Sequence, residues 1–446
     1  MIPRIRDKKY LVIGAGRTGQ SVARFLVAHG GAVRLAERSP TVLAGAVFPP
    51  GVECQLGDAA DDELLRGINV VIPSPGVPQY HRVLRRAVSR GIPVVSEIEL
   101  AARILTCPIL AVTGTNGKST TTVLLGAMLQ AAGIRAFVGG NLGTPLIEAC
   151  AAEVEYEAAV VEVSSFQLEW VSTFRPRVGV LLNLTPDHLD RYADIHEYGR
   201  AKAALFAAQR ADDVAVLNRD DPWVWEQRRA TRGATISFGR EPVEFGSFVD
   251  GDTLVYRGPQ PSPLRFSLRD VLLTGTHNRE NMMAAVTAAA VWGVPANAIQ
   301  HALDHTQPLP HRLELVREHN GVRFFDDSKG TNVGAMEKSI ASFAGDVILL
   351  AGGYDKGSDF SALGPLLRTH VKRLVLFGAA GAKIGRQLNG TVSTAVVSNL
   401  AEAVSVANAC ATAGDTVLLS PGCASFDEFT DYSARGRRFR ELVEAL

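Results

Sequence analysis

A short apolar run, Ile109 to Val112, leads into Gly114-Thr115-Asn116-Gly117-Lys118-Ser119-Thr120, and helix-forming residues continue to about Ala132. This junction constrains the chain more than any other feature. Glycines let consecutive backbone N–H groups turn toward one anion, a lysine neutralises its charge, and a hydroxyl at the helix start holds a hard cation. The pattern departs from the strict G-x-x-x-x-G-K-[ST] form, because Val112 stands where the first glycine belongs. The alternative is an ordinary capped helix start. A phosphate loop of this kind requires a strand that ends at the carboxyl edge of a parallel sheet, so an α/β fold is expected.

The rhythm of the whole chain agrees. Short apolar runs alternate with longer helical patterns, as in parallel sheets with crossover helices. Expected strands are Lys9 to Ile13, Ala32 to Ala36, Asn69 to Ile72 and Ile92 to Val95, then Ile109 to Val112, Ala158 to Val163, Val178 to Asn183 and Val214 to Leu217. From about Ser247 to Thr274, short alternating stretches broken by Gly and Pro suggest an antiparallel insertion. Helices near Asn278 to Trp292 and Pro295 to His305 precede the stiff segment Gln307-Pro308-Leu309-Pro310-His311, the best linker candidate. The α/β rhythm then resumes with strands Val347 to Ala351, Arg373 to Phe377 and Thr416 to Leu419.

With 446 residues, and roughly 150 per domain, about three domains are expected. Lys plus Arg equals Asp plus Glu at 46 each, so no bulk positive charge draws the chain to nucleic acid. The cysteines Cys54, Cys107, Cys150, Cys410 and Cys423 form no C-x-x-C pair, which suggests neither a zinc site nor a disulfide framework. The first apolar stretch, Tyr10 to Ile13, breaks at Gly14 and is too short for a signal peptide. No run approaches the ~18–20 apolar residues of a membrane span. A cytoplasmic protein is expected.

Other segments carry polar groups to strand ends. Gly14-Ala15-Gly16-Arg17-Thr18-Gly19 follows the first strand, and Glu37 ends the next. Alone this says dinucleotide. Only four strands precede the phosphate loop, however, which suits half of a dinucleotide domain and hence a nucleotide diphosphate; a tight turn without ligand is the bland alternative. Glu162 ends the strand Ala158 to Val163, where a magnesium ligand or a solvated carboxylate would sit. In Asn183-Leu184-Thr185-Pro186-Asp187-His188-Leu189-Asp190, His188 either positions metal and phosphates or belongs to a turn that caps a helix. Late in the chain, Leu309 to Arg312, Asp326 to Asn332, Gly352 to Lys356 and Ser420 to Asp427 lie at strand ends or beside the linker. Each has a structural alternative, with Ser328 or Thr331 as a helix cap and Lys356 as a surface amine, but together they suggest a binding face.

Taken together, these residues make the chain similar to the Mur ligases of peptidoglycan synthesis, over nearly its whole length. G-T-N-G-K-S-T is shared with folylpolyglutamate synthases. Ser164-Ser165-Phe166-Gln167-Leu168 and Asp327-Ser328-Lys329-Gly330-Thr331-Asn332 resemble the D-glutamate-adding branch. The resemblance implies three domains: a Rossmann-like domain for the uridine diphosphate over residues 1–96, a P-loop ATPase-like domain with a mostly parallel sheet and a small antiparallel part over 97–306, and a Rossmann-like amino-acid domain over 307–446. It implies ATP-dependent addition of D-glutamate to UDP-N-acetylmuramoyl-L-alanine through an acyl phosphate, with two magnesium ions, by a monomer.

Residue roles follow from the same resemblance. Thr18, Glu37 and Ser74 would contact the uridine diphosphate, and Asn141 and His188 the muramoyl part. Gly114, Thr115, Asn116, Gly117, Lys118, Ser119 and Thr120 would cradle ATP phosphates, with Lys118, His188 and Lys202 catalytic and Ser119, Glu162 and His188 at the metal. Lys202, unremarkable from the residues alone, matches a lysine carbamylated by carbon dioxide that supports the second magnesium. Asn278 and Asn281 would contact adenine, Arg312 phosphate and Asp327 ribose. Lys329, Thr331, Lys356, Ser425, Phe426 and Tyr432 would hold D-glutamate. The rivals are another Mur ligase or a folylpolyglutamate synthase-type ligase, the latter expected to lack the N-terminal domain; a nicotinamide oxidoreductase, which leaves Gly114 to Thr120 unused; and a non-catalytic nucleotide sensor, which gives no reason for a separate amino-acid face.

Overall fold

The computed structural model describes residues 5–57 and 61–446. Three sheets organise the chain. The first contains β1 (Lys9–Ile13), β2 (Ala32–Glu37), β3 (Glu53–Leu56) and β4 (Val70–Pro73), all parallel in the order β3-β2-β1-β4. The expected strand Ile92 to Val95 is not one of them: Val94 makes only an isolated bridge to Val71, because Pro93 brings no N–H to a ladder. The fourth strand is instead β3, whose Glu-Cys-Gln-Leu sequence lies mostly exposed at the sheet edge and carries no apolar run.

The second sheet contains β5 (Ile109–Thr113), β6 (Ala136–Gly140), β7 (Ala158–Glu162), β8 (Val178–Leu181), β9 (Val214–Asn218), β10 (Ala234–Phe238), β11 (Gly246–Asp250), β12 (Thr253–Arg257) and β13 (Leu264–Ser267). Its order is β13-β12-β11-β10-β9-β8-β5-β7-β6. The antiparallel insertion is the meander β11-β12-β13, which joins the parallel part by its first strand. Strands β6 and β10 are additions to the sequence reading. The Gly139-Gly140 pair that ends β6 conceals it, yet both glycines sit where a side chain would strike Thr144 or Glu162 backbone.

The third sheet contains β14 (Glu314–His319), β15 (Val322–Asp326), β16 (Val347–Gly352), β17 (Val371–Phe377), β18 (Thr394–Val396) and β19 (Thr416–Gly422), in the order β14-β15-β19-β16-β17-β18. All neighbours are parallel except β14 and β15. Strands β16 and β19 are buried along their whole length, as central parallel strands covered on both faces are. Leu349, Leu376 and Leu418 pack into one face, and Ile348, Leu350, Val375 and Leu419 into the other.

Residue contacts divide the chain into two compact units. One comprises Met1–Asn183, Gly199–Val271 and Arg279–Thr306, and therefore holds the first two sheets; the other comprises Leu184–Tyr198, Leu272–Asn278 and Gln307–Leu446. Within the first unit, the helix Glu97–Ala102 connects the two sheets and is pinned by Glu99. Its side chain is fully buried and accepts hydrogen bonds from the amides of Ser172, Thr173 and Phe174, both intervening hydroxyls and Arg103. Burial works to raise its pKa, but these donors outweigh it and hold the carboxyl below the usual range. Glu99→Ala strands several donors at once and is expected to cost about 3–4 kcal/mol. Since the folded pKa is depressed, this stabilisation is present above the ordinary glutamate pKa and is lost as pH falls through the folded value. Thermal unfolding of wild type and variant should therefore converge in acid.

Candidate functional site

The carboxyl edge of the first sheet forms a cleft of about 220 Å³ lined by Gly14, Glu37, Arg38, Gly76, His81 and Arg82, among others. Ser74 Oγ lies 3.3 Å from the Gly14 carbonyl, and Thr18 stands in the first turn of the helix Arg17–Ala28. Glu37 differs from a free ribose acceptor. Its carboxylate takes the Ala15 amide at 2.7 Å and those of Arg38 and Ser39 at 2.7 and 2.9 Å, bracing the glycine loop. The positive groups at this cleft, Arg38 and Arg82, were not singled out in the sequence because no spacing sets them apart from other arginines.

At the carboxyl edge of β5, Gly117 has φ +86° and starts the helix Lys118–Ala131. A β-carbon there would collide with the Asn281 side chain, so only glycine lets the loop close against that residue. Asn183, just beyond β8, accepts the Asn116 amide through Oδ1 and donates back to its carbonyl, while its own carbonyl accepts Thr115 N–H. Lys118 Nζ reaches the Gly114 and Thr115 carbonyls at 3.0 and 2.8 Å. Lys202, 1% exposed, donates to the same Gly114 carbonyl at 2.8 Å. The lysine that sequence logic would not select thus converges with Lys118 on one atom. Ser119 and Thr120 are buried in the first helical turn.

Glu162 ends β7, beside β5, and is 2% exposed. Asn141 Nδ2 donates to its Oε1 at 2.6 Å, which joins a residue expected at the sugar to one expected at the metal.

The second unit carries the remaining candidates. His188 adopts φ +57° beside Asp187, a buried carboxylate that accepts Lys356 Nζ at 2.9 Å and Asn332 Nδ2 at 3.1 Å. Burial pushes the Asp187 carboxyl up, but Lys356 and His188 overcome it and leave its pKa below the ordinary value. Asn332, not Ser328 or Thr331, caps the helix Val333–Ile340. Asp327 is buried, accepts the Ser339 and Ser420 hydroxyls at 2.6 and 2.8 Å, and is pushed up to about 7 by desolvation. Arg312 acts on it in the opposite sense. Lys329 Nζ lies 3.7 Å above the Tyr432 ring, and Thr331 N–H turns back to the Lys329 carbonyl. Ser425 is buried, whereas Phe426 is 69% exposed. These loops follow β15, β16 and β19, three adjacent parallel strands, and so share one sheet edge. Asn278 donates to the Thr274 carbonyl and groups with this unit, while Asn281 groups with the first.

Three family descriptions match consecutive parts of the chain: the Mur ligase MurD-like N-terminal domain over residues 8–96, the Mur ligase middle domain over 112–289, and the Mur ligase glutamate ligase domain over 311–423. The chain belongs to the Mur ligase family. UDP-N-acetylmuramoylalanine--D-glutamate ligase of Syntrophus aciditrophicus is 43% identical to it over 99% of both chains. The protein of that name from Geobacter metallireducens is 45% identical over 99% of this chain and 98% of its own. Among solved structures, the pseudomurein peptide ligase type C of Methanothermus fervidus superposes with TM-score 0.63 and 19% identity, covering 98% of this chain and 100% of its own. E. coli FolC in complex with DHPP and ADP reaches TM-score 0.58 at 20% identity but covers only 79% of this chain. The three-domain α/β architecture of this Mur ligase is that of its structural neighbours.

A further residue of this Mur ligase also escaped the sequence reading. Arg435, fully buried in the helix Tyr432–Glu444, donates from Nε to Ser328 Oγ, from Nη2 to the Ser328 and Cys423 carbonyls, and from Nη1 to the Ala424 carbonyl. Burial lowers its pKa to about 10. It ties the loop of Lys329 to that of Ser425. Nothing in the run Arg435-Gly436-Arg437-Arg438 marks the first arginine as internal.

Proposed function

We propose that this Mur ligase joins D-glutamate to the alanyl carboxylate of UDP-N-acetylmuramoyl-L-alanine, converting ATP to ADP and phosphate, in peptidoglycan precursor synthesis. The observation that carries this reading is 41–45% identity, across essentially the whole chain, with ligases named for that reaction. We divide the labour at residues 1–96 for the nucleotide-sugar, 97–306 for ATP and 307–446 for D-glutamate. A cytoplasmic, monomeric enzyme accords with this reading; among the described residues, no helix is long and apolar enough to cross a membrane.

A carboxylate resists nucleophiles, so it is activated first. A carboxylate oxygen of the alanyl group attacks the γ-phosphorus, the bond to the bridging oxygen breaks, and ADP leaves with that electron pair. The neutral amine of D-glutamate then attacks the acyl carbon, loses a proton, and expels inorganic phosphate. Lys118 and the amides of Gly117 to Thr120 would neutralise charge on the moving phosphoryl group, a step that depends mainly on positioning and electrostatics. Asn183 holds the Thr115 and Asn116 amides and so shapes the loop. Asn278 and Asn281 would meet adenine, Asp327 ribose and Arg312 a phosphate. Thr18, Ser74 and the Glu37-braced loop would receive the uridine diphosphate, and Asn141 and His188 the muramoyl group. Lys329, Thr331, Lys356, Ser425, Phe426 and Tyr432 would hold D-glutamate, with cationic groups for its two carboxylates.

The residues fit magnesium. A carboxylate buried as deeply as Glu162, beside a phosphate loop, is a costly placement that a divalent cation offsets. Ser119, Glu162, His188 and carbamylated Lys202 would hold two such ions. When bound, magnesium supplies further charge neutralisation to the phosphates.

Phosphate release, measured with ATP, UDP-N-acetylmuramoyl-L-alanine and a panel of amino acids, tests the reading. Release is expected with D-glutamate and not with L-glutamate, alanine or lysine. Release independent of the amino acid, or none, overturns it. The folate-type rival is disfavoured by the matched N-terminal domain, and an oxidoreductase by a family match that includes the phosphate loop.

A further inference from the structure

Resting on the nucleotide-sugar reading, we infer that Glu97 is a positioning residue for that substrate, holding the loop Asn141–Pro145 in place from the helix Glu97–Ala102. Its side chain is buried, with the residue 2% exposed, and Oε1 accepts the Ile147 amide at 2.6 Å. Ile147 is the first residue of the helix Ile147–Ala151, which follows the loop after Leu146, and no intrahelical carbonyl serves its N–H. The carboxylate is therefore a helix cap delivered from another element.

The loop it grips is tied at several points. Asn141 N–H binds the Glu162 carbonyl and its side chain the Glu162 carboxylate; Gly140 N–H binds the Thr144 carbonyl. Arg17, next to the glycine loop of the first sheet, donates to the Gly143 carbonyl, and Arg24 pairs with Glu148. Glu97 thus anchors a segment that bridges the nucleotide-sugar cleft and the carboxylate beside the phosphate loop.

Retaining a carboxylate here costs stability. Oε2 is buried without a hydrogen-bond partner, a penalty that glutamine would lessen. The charged and titratable groups that act with it are Glu148 and Cys150; Cys107 acts on Cys150, and Arg24 and Ser21 hold Glu148. Desolvation and Glu148 raise the Glu97 pKa to about 7, against the amides of Ile147 and Leu146. A raised acid pKa means that the folded state binds the extra proton, so stability from this group is full below the ordinary glutamate value and is lost as pH rises through about 7. The charged form, however, is the stronger acceptor for the loop amides. The position trades stability for grip on the substrate loop.

The test is calorimetric titration of UDP-N-acetylmuramoyl-L-alanine into the full-length protein at about pH 6 and about pH 8, either side of this transition, with Tm measured alongside. Wild type is expected to bind several-fold more weakly at the lower pH. Glu97→Gln should lose that part of the pH dependence and unfold at a higher temperature than wild type at about pH 8. Glu97→Ala should bind ~10-fold more weakly at both pH values, the equivalent of one lost net hydrogen bond. Wild-type affinity in Glu97→Ala with a lowered Tm makes the carboxyl purely structural and overturns the inference. The same pH dependence in wild type and Glu97→Gln overturns it too, and remains readable if the alanine variant fails to fold. Failure of wild type to bind the nucleotide-sugar at either pH removes the functional reading itself, a result distinct from both.

Discussion

Replacing Lys118 with alanine is expected to lower ligation by ~10² or more and to leave Tm within about 1 °C of wild type, because the role proposed for its ammonium is to stabilise a transition state and not the fold. Its ammonium lies against the Gly114 and Thr115 carbonyls, at the start of the helix Lys118–Ala131. It is only half-buried, so its removal lets water reach those carbonyls and the structural cost stays small. Charge that develops on the transferred phosphoryl group has no comparable substitute. Phosphate release at saturating substrates, with thermal unfolding measured in parallel, separates the two effects. Turnover near wild type would overturn the assignment of this loop to ATP. A large loss of Tm would show that the lysine holds the loop itself.

The second large effect is structural and arises at Arg435. Arg435→Ala is expected to destabilise by about 3–5 kcal/mol, since three buried carbonyls and one hydroxyl each lose a donor, the Ala424 carbonyl keeping only the Tyr354 amide, and a cavity opens. Arg435→Lys should recover less than half, because one ammonium cannot span acceptors arranged for a planar fork. Chemical denaturation reads the stability. At a temperature where the alanine variant is still folded, KM for D-glutamate should rise more than KM for ATP, because the loops released carry Lys329 and Ser425. Equal changes in both would indicate general loosening in place of a specific positioning of those loops.

The parallel α/β class and the Gly-rich or polar strand ends were legible because they are local. A phosphate loop is seven consecutive residues between a strand and a helix, and its chemistry follows from residue type and order. Fully buried strands such as β16 were equally visible as continuous apolar runs. Edge strands were not: β3 and β18 face solvent, so selection for an apolar run is absent there. Lys202 became chemically meaningful only when the fold brought it to the Gly114 carbonyl, 88 residues away.

Charge on a side chain also says nothing about what that charge meets. Glu37 was legible as the acid after the second strand, yet the fold spends its carboxylate on three backbone amides. Lys356 was visible in a turn, while its pairing with Asp187 joins residues 169 apart. Glu97, Glu99 and Arg435 carry no mark of burial in the sequence, and each is interior.

By itself, then, the sequence determined the sheet class, the phosphate loop and, through its motifs, the family, because these depend on neighbours along the chain. Tertiary structure alone decided which ionisable groups are buried, which amides they satisfy and which loops they hold together. Desolvation and hydrogen-bond geometry depend on what packs around an atom, and that is set by residues distant in the chain.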